Sequence, residues 1–247
     1  MNRKQFITTT LCASAGIALI PHITMAATSN DYTRNQLIGK GNPELTGSTY
    51  LTTMHQETAA AFAKMKAAAA QDNIAIEVVS AYRSFQRQKE IFERKYTEFT
   101  NNGLDPLDTI EKIIEYSTLP GTSRHHWGTD LDIIDANGRP RPRSVLQAKH
   151  FHGNGPFCKL KEWLNVYASD FGFYEVYTNN AQRKGFNYEP WHMSYAPVSK
   201  PMLQGYKALD VGEILREEQV LGNAYFTADF IERYRREHIL DINPELL

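Results

Sequence analysis

Hydrophobic and polar positions divide the chain into segments of different period. "TTMHQETAAAFAKMKAAAAQDN" is dominated by strong helix formers and predicts a helix from about residue 49 to 70. "IAIEVVS" alternates and is β-branched, which predicts a strand over residues 74–80. Phe85, Phe92, Tyr96 and Phe99 recur at helical spacing, with Ser84 as N-cap and "NNG" as the stop. Leu107, Ile110 and Ile114 repeat the pattern behind Asp105 as cap and Pro106 at the first helical position. "TDLDIID" alternates as a strand from about residue 129, and the turn "ANGRPRP" follows. Phe157, Leu160, Leu164, Tyr167 and Phe171 form one helical face, and "FYEVY" and "FNYEPWHMSY" read as short strands. From Lys200 onward the chain reads as helical. Several helices around a few separated strands predict an α+β fold with a small antiparallel sheet. The expected organisation is a tail over residues 27–43, a domain over 44–199 and a helical C-terminal extension over 200–247.

The first 26 residues break this pattern. "MNRK" is basic, the following stretch is apolar and small, and no charged residue occurs from Gln5 until Asp31. Thr24 and Ala26 offer small residues for cleavage, so residues 1–26 read as a secretory signal peptide. The apolar run is shorter than the roughly 20 residues a membrane span needs, so no stable span is expected after cleavage. "NRKQFI" departs from a twin-arginine signal at Lys4, and Thr9 and Leu11 are wrong for a lipobox before Cys12. The expected location is outside the cytoplasm: periplasmic, cell-surface or secreted.

Composition adds exclusions. The 247 residues are 42% hydrophobic and 22% charged, as in a globular protein with a sizeable core. A net charge of -1, with no basic run, provides no field for nucleic acid. Removal of Cys12 with the leader leaves Cys158 alone, so no internal disulfide is expected. Its place in "PFCKLKEWL" predicts a small buried apolar role.

Chemistry concentrates in "GTSRHHWGTDLDIID". Asp130 and Asp132 are two apart on the predicted strand and share a face, with Leu131 and Ile133 turned toward the core. Two carboxylates on one face repel unless a cation or donor lies between them. A loop of this length folds His125 back to the start of the strand, and imidazole with carboxylate suits zinc. A catalytic zinc needs a third protein ligand, for which His192 in "NYEPWHMSY" is the best candidate. Glu189 is three residues before it and shares its site only if the strand kinks, which Pro190 favours. Arg83, between a strand and a helix in "SAYRS", is placed to bind a carboxylate or polarise a carbonyl. Taken singly, each of these residues has an ordinary structural reading. Trp127 and Trp191 read as packing residues.

Taken together, "SAYRS", "SRHHWGTDLD" and "EPWH" resemble the VanY-type zinc D-alanyl-D-alanine carboxypeptidases. That family's pattern is S-x-Y-R-S, then S-x-H-x-x-G-x-A-x-D, then E-x-W-H. Ser80, Tyr82, Arg83 and Ser84 match the first element; Ser123, His125, Gly128 and Asp132 the second; Glu189, Trp191 and His192 the third. Asp130 stands where the family usually has alanine. The resemblance implies a Hedgehog/D,D-peptidase-like fold with Zn2+ held by His125, Asp132 and His192. It implies Glu189 as general base and Arg83 as oxyanion stabiliser, with the peptidoglycan stem peptide as substrate and a terminal D-alanine as product. Ser123, Gln88, Arg83 and Asp130 are the expected substrate contacts. For Asp130, roles beside the ligand, on a substrate ammonium or as a competing ligand stay open. Alternatives are L,D-carboxypeptidase or endopeptidase activity on the same scaffold, or a zinc-stabilised binding module, as in the related Hedgehog signalling domain. The module needs no base, so Glu189 counts against it. A metal site at His150 and His152 has no carboxylate base near in sequence.

Overall fold

A computed structural model describes residues 32–247, so the expected signal peptide and the start of the tail lie outside the described residues. The tail forms a single helical turn, α1 (Arg34–Leu37), whose Leu37 is buried. A two-stranded ribbon, β1 (Leu45–Thr46) and β2 (Met54–His55), leads into α2 (Gln56–Gln71), a later start than the residue 49 expected. β3 (Ile76–Ser80) follows, then α3 (Phe85–Asn101), capped by the Ser84 hydroxyl accepting from the Arg87 amide. Such a cap contributes about 1 kcal/mol. α4 (Pro106–Ile114) is capped by Asp105. β4 (Asp130–Asp135), α5 (Cys158–Tyr167), β5 (Phe173–Glu175) and β6 (His192–Tyr195) complete the central part. The last helices are α6 (Ala196–Lys207), α7 (Val211–Glu217) and α8 (Ala228–Tyr234), the last continued by a π turn over Arg235–Ile239.

The α+β expectation holds. β3, β4, β6 and β5 form, in that order, a four-stranded sheet whose neighbouring strands all run antiparallel. Its odd-numbered positions Leu131, Ile133 and Met193 pack with Phe62 and Met65 of α2 and Leu160 and Trp163 of α5. The even-numbered Asp130, Asp132, His192 and Ser194 therefore point to the other face, because strand side chains alternate. That other side is closed by a second core that joins Phe85 and Phe92 of α3 and Ile110 and Ile113 of α4 to Met202, Tyr206, Ile214 and Tyr234.

Two expectations change here. The boundary expected after residue 199 falls inside α6, and the helices beyond it share the second core with α3 and α4. Their Met202, Tyr206, Ile214 and Tyr234 are buried in that core. Cys158 is half-buried at the start of α5, where its thiol donates to Glu162 at 3.3 Å. Burial and Glu162 raise the thiol pKa, so it is a poor nucleophile as well as no core residue.

His238 in the π turn is buried, stacked on Tyr234 at 4.7 Å and edge-on to Phe186 at 4.8 Å. Burial and the nearby Arg233 push its pKa down to about 4. The unfolded chain therefore takes up this proton first as pH falls. Stability is full above about pH 6.5 and declines toward pH 4, by at most about 3 kcal/mol. The stability advantage of wild type over His238→Phe should shrink across that window in urea titrations. Parallel curves for the two proteins would discard this assignment.

Candidate metal centre

The antiparallel register sets the site. Asp132 pairs with His192 across β4 and β6, Asp130 pairs with Ser194, and Ser80 on β3 lies opposite Asp132 beyond a register shift. Before β4, a 3-10 turn over Arg124–Trp127 ends at Gly128 with φ 69°. A Cβ at Gly128 would lie 2.5 Å from Leu45 and 2.7 Å from the His55 amide, so only glycine fits. This tight reversal brings His125 back over the strand. Its Nδ1 lies 2.8 Å from the Ala81 carbonyl, which leaves Nε2 facing Asp132 Oδ2 at 3.5 Å.

The expected strand over "FNYEPWHMSY" begins only at His192. Glu189 sits in the preceding turn, closed by the His192 amide donating to the Glu189 carbonyl at 3.0 Å. That turn carries both side chains to one place. Glu189 Oε2 is 3.0 Å from His192 Nδ1, and Asp132 Oδ1 is 3.6 Å from the same nitrogen. The carbonyl-bonded His125 and the Asp130-bonded His192 thus present opposite ring nitrogens to one point.

His125, Asp132 and His192 are all buried, and their ligand atoms lie within 4.8 Å of one another. Two ligands of a tetrahedral zinc at bond lengths near 2.1 Å are about 3.4 Å apart. The 3.5 and 3.6 Å separations to Asp132 match that spacing. Asp132 Oδ1 is buried with no hydrogen-bond partner among the described residues, an arrangement that favours a cation. Two neutral nitrogens and one carboxylate are a suitable donor set for zinc. Among the described residues no other such His/Cys/Asp/Glu group occurs. His150 packs edge-on against Phe157 and His152 stacks on Tyr188, so the alternative site is not formed.

These groups line a cleft of about 560 Å³, together with Arg83, Ser123, Tyr188 and Trp191. Arg83 donates to Gln88 Oε1 at 2.8 Å and to Ser80 Oγ at 3.2 Å. Its backbone is pinned on both sides: its amide donates to the His125 carbonyl, and its carbonyl accepts from His126 Nδ1 at 2.6 Å. Ser123 Oγ is buried without a hydrogen-bond partner among the described residues and is therefore open to a ligand.

The electrostatics separate the carboxyl groups. Burial raises the Glu189 pKa, against the pull of His192. Burial also works to raise Asp132, but His125 and His192 overcome it and hold the pKa below the usual carboxylate range. For His192 burial disfavours charge, yet hydrogen bonds to Asp130 and Glu189 push its pKa up to about 10. Burial lowers the Arg83 pKa, with Asp132 and Glu189 opposing.

Two expected substrate contacts are buried outside the cleft lining. Gln88 is fully buried on the α3 face that also carries Phe85 and Phe92, and its amide donates to the Thr118 carbonyl at 2.7 Å. Its Oε1 accepts from Arg83, and it is not part of the cleft lining. Asp130 is fully buried and outside the cleft lining, with Arg124, Thr129, Ser194 and His192 around its carboxylate. No face of it is open to a substrate ammonium.

The C-terminal helices brace both site loops, a role no motif announced. The Tyr234 hydroxyl meets the Leu119 amide and Thr122 Oγ1, and the Tyr206 hydroxyl donates to the Gly121 carbonyl at 2.7 Å. Asn243 donates to the carbonyls of Val176 and Glu175, and Arg183 ties Thr178 and Phe186 to Asp241. The turn before His125 and the loop before Glu189 are both held from behind.

Comparison with known proteins gives a consistent picture. A family model described as D-alanyl-D-alanine carboxypeptidase (VanY) matches residues 51–198. An uncharacterized protein of Haemophilus influenzae is 32% identical over 105 residues, covering 42% of this chain and 80% of that protein. A D-alanyl-D-alanine carboxypeptidase of Enterococcus faecalis is 28% identical over 153 residues, covering 62% of this chain. This chain spans about half, 52%, of that enzyme's length. The solved structure of VanYB in complex with D-alanine-D-alanine is similar in fold, with a TM-score of 0.50 and 23% identity. The similarity covers 72% of this chain and 91% of that one.

Proposed function

Because this chain belongs to the VanY D-alanyl-D-alanine carboxypeptidase family, we propose that it is a zinc-dependent peptidase that removes the terminal D-alanine from peptidoglycan stem peptides. The observation that carries this reading is the convergence of His125, Asp132 and His192 with Glu189 at the edge of one cleft. When bound by those three residues, zinc supplies a Lewis acid and lowers the pKa of water to about 7.

The chain's own residues do the rest. Glu189, whose pKa is raised by burial, takes a proton from the attacking water and returns it to the leaving amine. Arg83, aimed by Gln88 and Ser80, stabilises the oxyanion that develops on the scissile carbonyl. The unpaired Ser123 hydroxyl provides a hydrogen bond to the substrate. The pinned backbone of Arg83 and the braced loops keep these groups in place without reorganisation during the reaction. Action on peptidoglycan fits an exported protein. Among the described residues no helix is long and apolar enough to cross a membrane.

The test is a product profile on stem peptides ending in D-Ala-D-Ala, in a single D-residue after an L-centre, and on cross-linked dimers. Mass spectrometry should show loss of one terminal D-alanine from the first, abolished by a chelator and restored by zinc. Preferential cutting of the second or third would replace this specificity with an L,D- or endopeptidase one. Chelator-resistant turnover would remove zinc from the reading.

A further inference from the structure

Asp130 is the residue that departs from the family pattern, and its surroundings are unusually complete. Its Oδ1 accepts from Thr129 Oγ1 at 2.8 Å and from Ser194 Oγ at 2.6 Å. Its Oδ2 accepts from Arg124 Nε at 2.8 Å and faces His192 Nε2 at 3.0 Å. Arg124 also donates through Nη2 to Ser194 Oγ at 2.7 Å, which closes a ring of three side chains. The Arg124 guanidinium lies over the Trp127 ring, 4.8 Å from its centroid. Every member of this ring, with His192, is at most 5% exposed.

Four donors around one carboxylate leave it no free orbital for a metal and no rotation toward one. The same donors make it an acceptor of fixed direction. Arg124, buried beside it with Nε at 2.8 Å, balances its charge locally and fixes its orientation. His192 meets this acceptor with Nε2, so its proton belongs on Nε2 and its lone pair on Nδ1. Nδ1 is the nitrogen that faces Asp132 and Glu189.

We propose that Arg124 and Asp130 form a positioning pair that selects the tautomer and ring orientation of His192 and thereby sets the metal affinity of the site. His125 obtains the same service from a backbone carbonyl, through its opposite ring nitrogen. The device costs the protein a buried ion pair behind the site, held by a residue next to a metal ligand in sequence. The inference rests on the reading of His125, Asp132 and His192 as zinc ligands.

Zinc affinity, measured by competition with a chromophoric chelator, tests it on the full chain. Asp130→Asn should bind zinc 10–100-fold more weakly than wild type, the usual effect of losing a group that orients a ligand. Proton–nitrogen-15 NMR of the zinc-loaded proteins should show the His192 Nε2–H hydrogen-bonded, downfield and slow to exchange with water in wild type, and upfield and faster to exchange in Asp130→Asn. Ser194→Ala keeps the carboxylate but removes one of its donors, and should weaken zinc in the same direction by less. It carries the test if Asp130→Asn does not fold. Wild-type affinity and an unchanged His192 Nε2–H signal in the variants would overturn the pair while leaving zinc in place. A wild type that holds no zinc would overturn the ligand reading itself, and this inference with it.

Discussion

Glu189→Gln is expected to bind zinc at wild-type stoichiometry and to lose at least about 100-fold in kcat, the range in which a general base contributes. Glutamine has nearly the same shape and fits the turn that ends at His192. Glu189 is not needed to hold the metal, since His125, Asp132 and His192 form the compact donor set without it. What the substitution removes is a proton acceptor 3.0 Å from His192, in a site where burial has raised its pKa toward the working range. In the metal-free protein the substitution also weakens the buried Glu189–His192 contact, so some loss of stability is expected there. The measurements are metal content and single-turnover rates on a D-Ala-D-Ala peptide. Full turnover with full zinc would remove Glu189 as the base, and lost zinc would make it a ligand instead.

Much of this site was legible because its chemistry is packed into short motifs. The alternation of "TDLDIID" separates Leu131 and Ile133 from Asp130 and Asp132, and the sheet places them on opposite faces as that alternation requires. The awkward spacing of Glu189 and His192 also pointed the right way. Pro190 marks the turn in which Glu189 sits, and the strand starts where the kink was expected to end. The burial of Gln88 has a signal in the sequence. The residue falls three residues after Phe85 and four before Phe92, on the buried helical face.

Other features could not be read locally. Arg124 and Asp130 are six residues apart across a 3-10 turn and the left-handed Gly128, a spacing with no periodic meaning. Their partner Ser194 is legible only once β6 is known to pair with β4 in this register. Tyr206 and Tyr234 lie in the segment that reads only as helical, and their rings fill the core. Their hydroxyls serve the loop before His125, 85 residues from Tyr206 and more than 110 from Tyr234. Such pairings follow from tertiary packing, which the helical pattern beyond residue 199 does not announce.

Replacement of a ligand should have a larger effect on metal than replacement of its support. His192→Ala is expected to lose more than about 100-fold in zinc affinity, beyond the 10–100-fold of a supporting group, and activity should fall with it. Two ligands from a loop and a strand cannot complete the donor set that a catalytic zinc needs. The fold should survive, because β6 contributes Met193, not His192, to the core shared with α2 and α5. Circular dichroism should therefore stay close to wild type while metal content collapses. The variant also removes one partner each from Asp130 and Asp132, so its metal-free form should lose stability as well. Paired alanine replacements at His150 and His152 are the control, since those rings contact Phe157 and Tyr188 and no group of ligands. They should leave zinc binding unchanged. Full zinc occupancy in His192→Ala, or metal loss in the control, would move the centre away from the β4–β6 pair and return the ligand assignment to the histidines outside it.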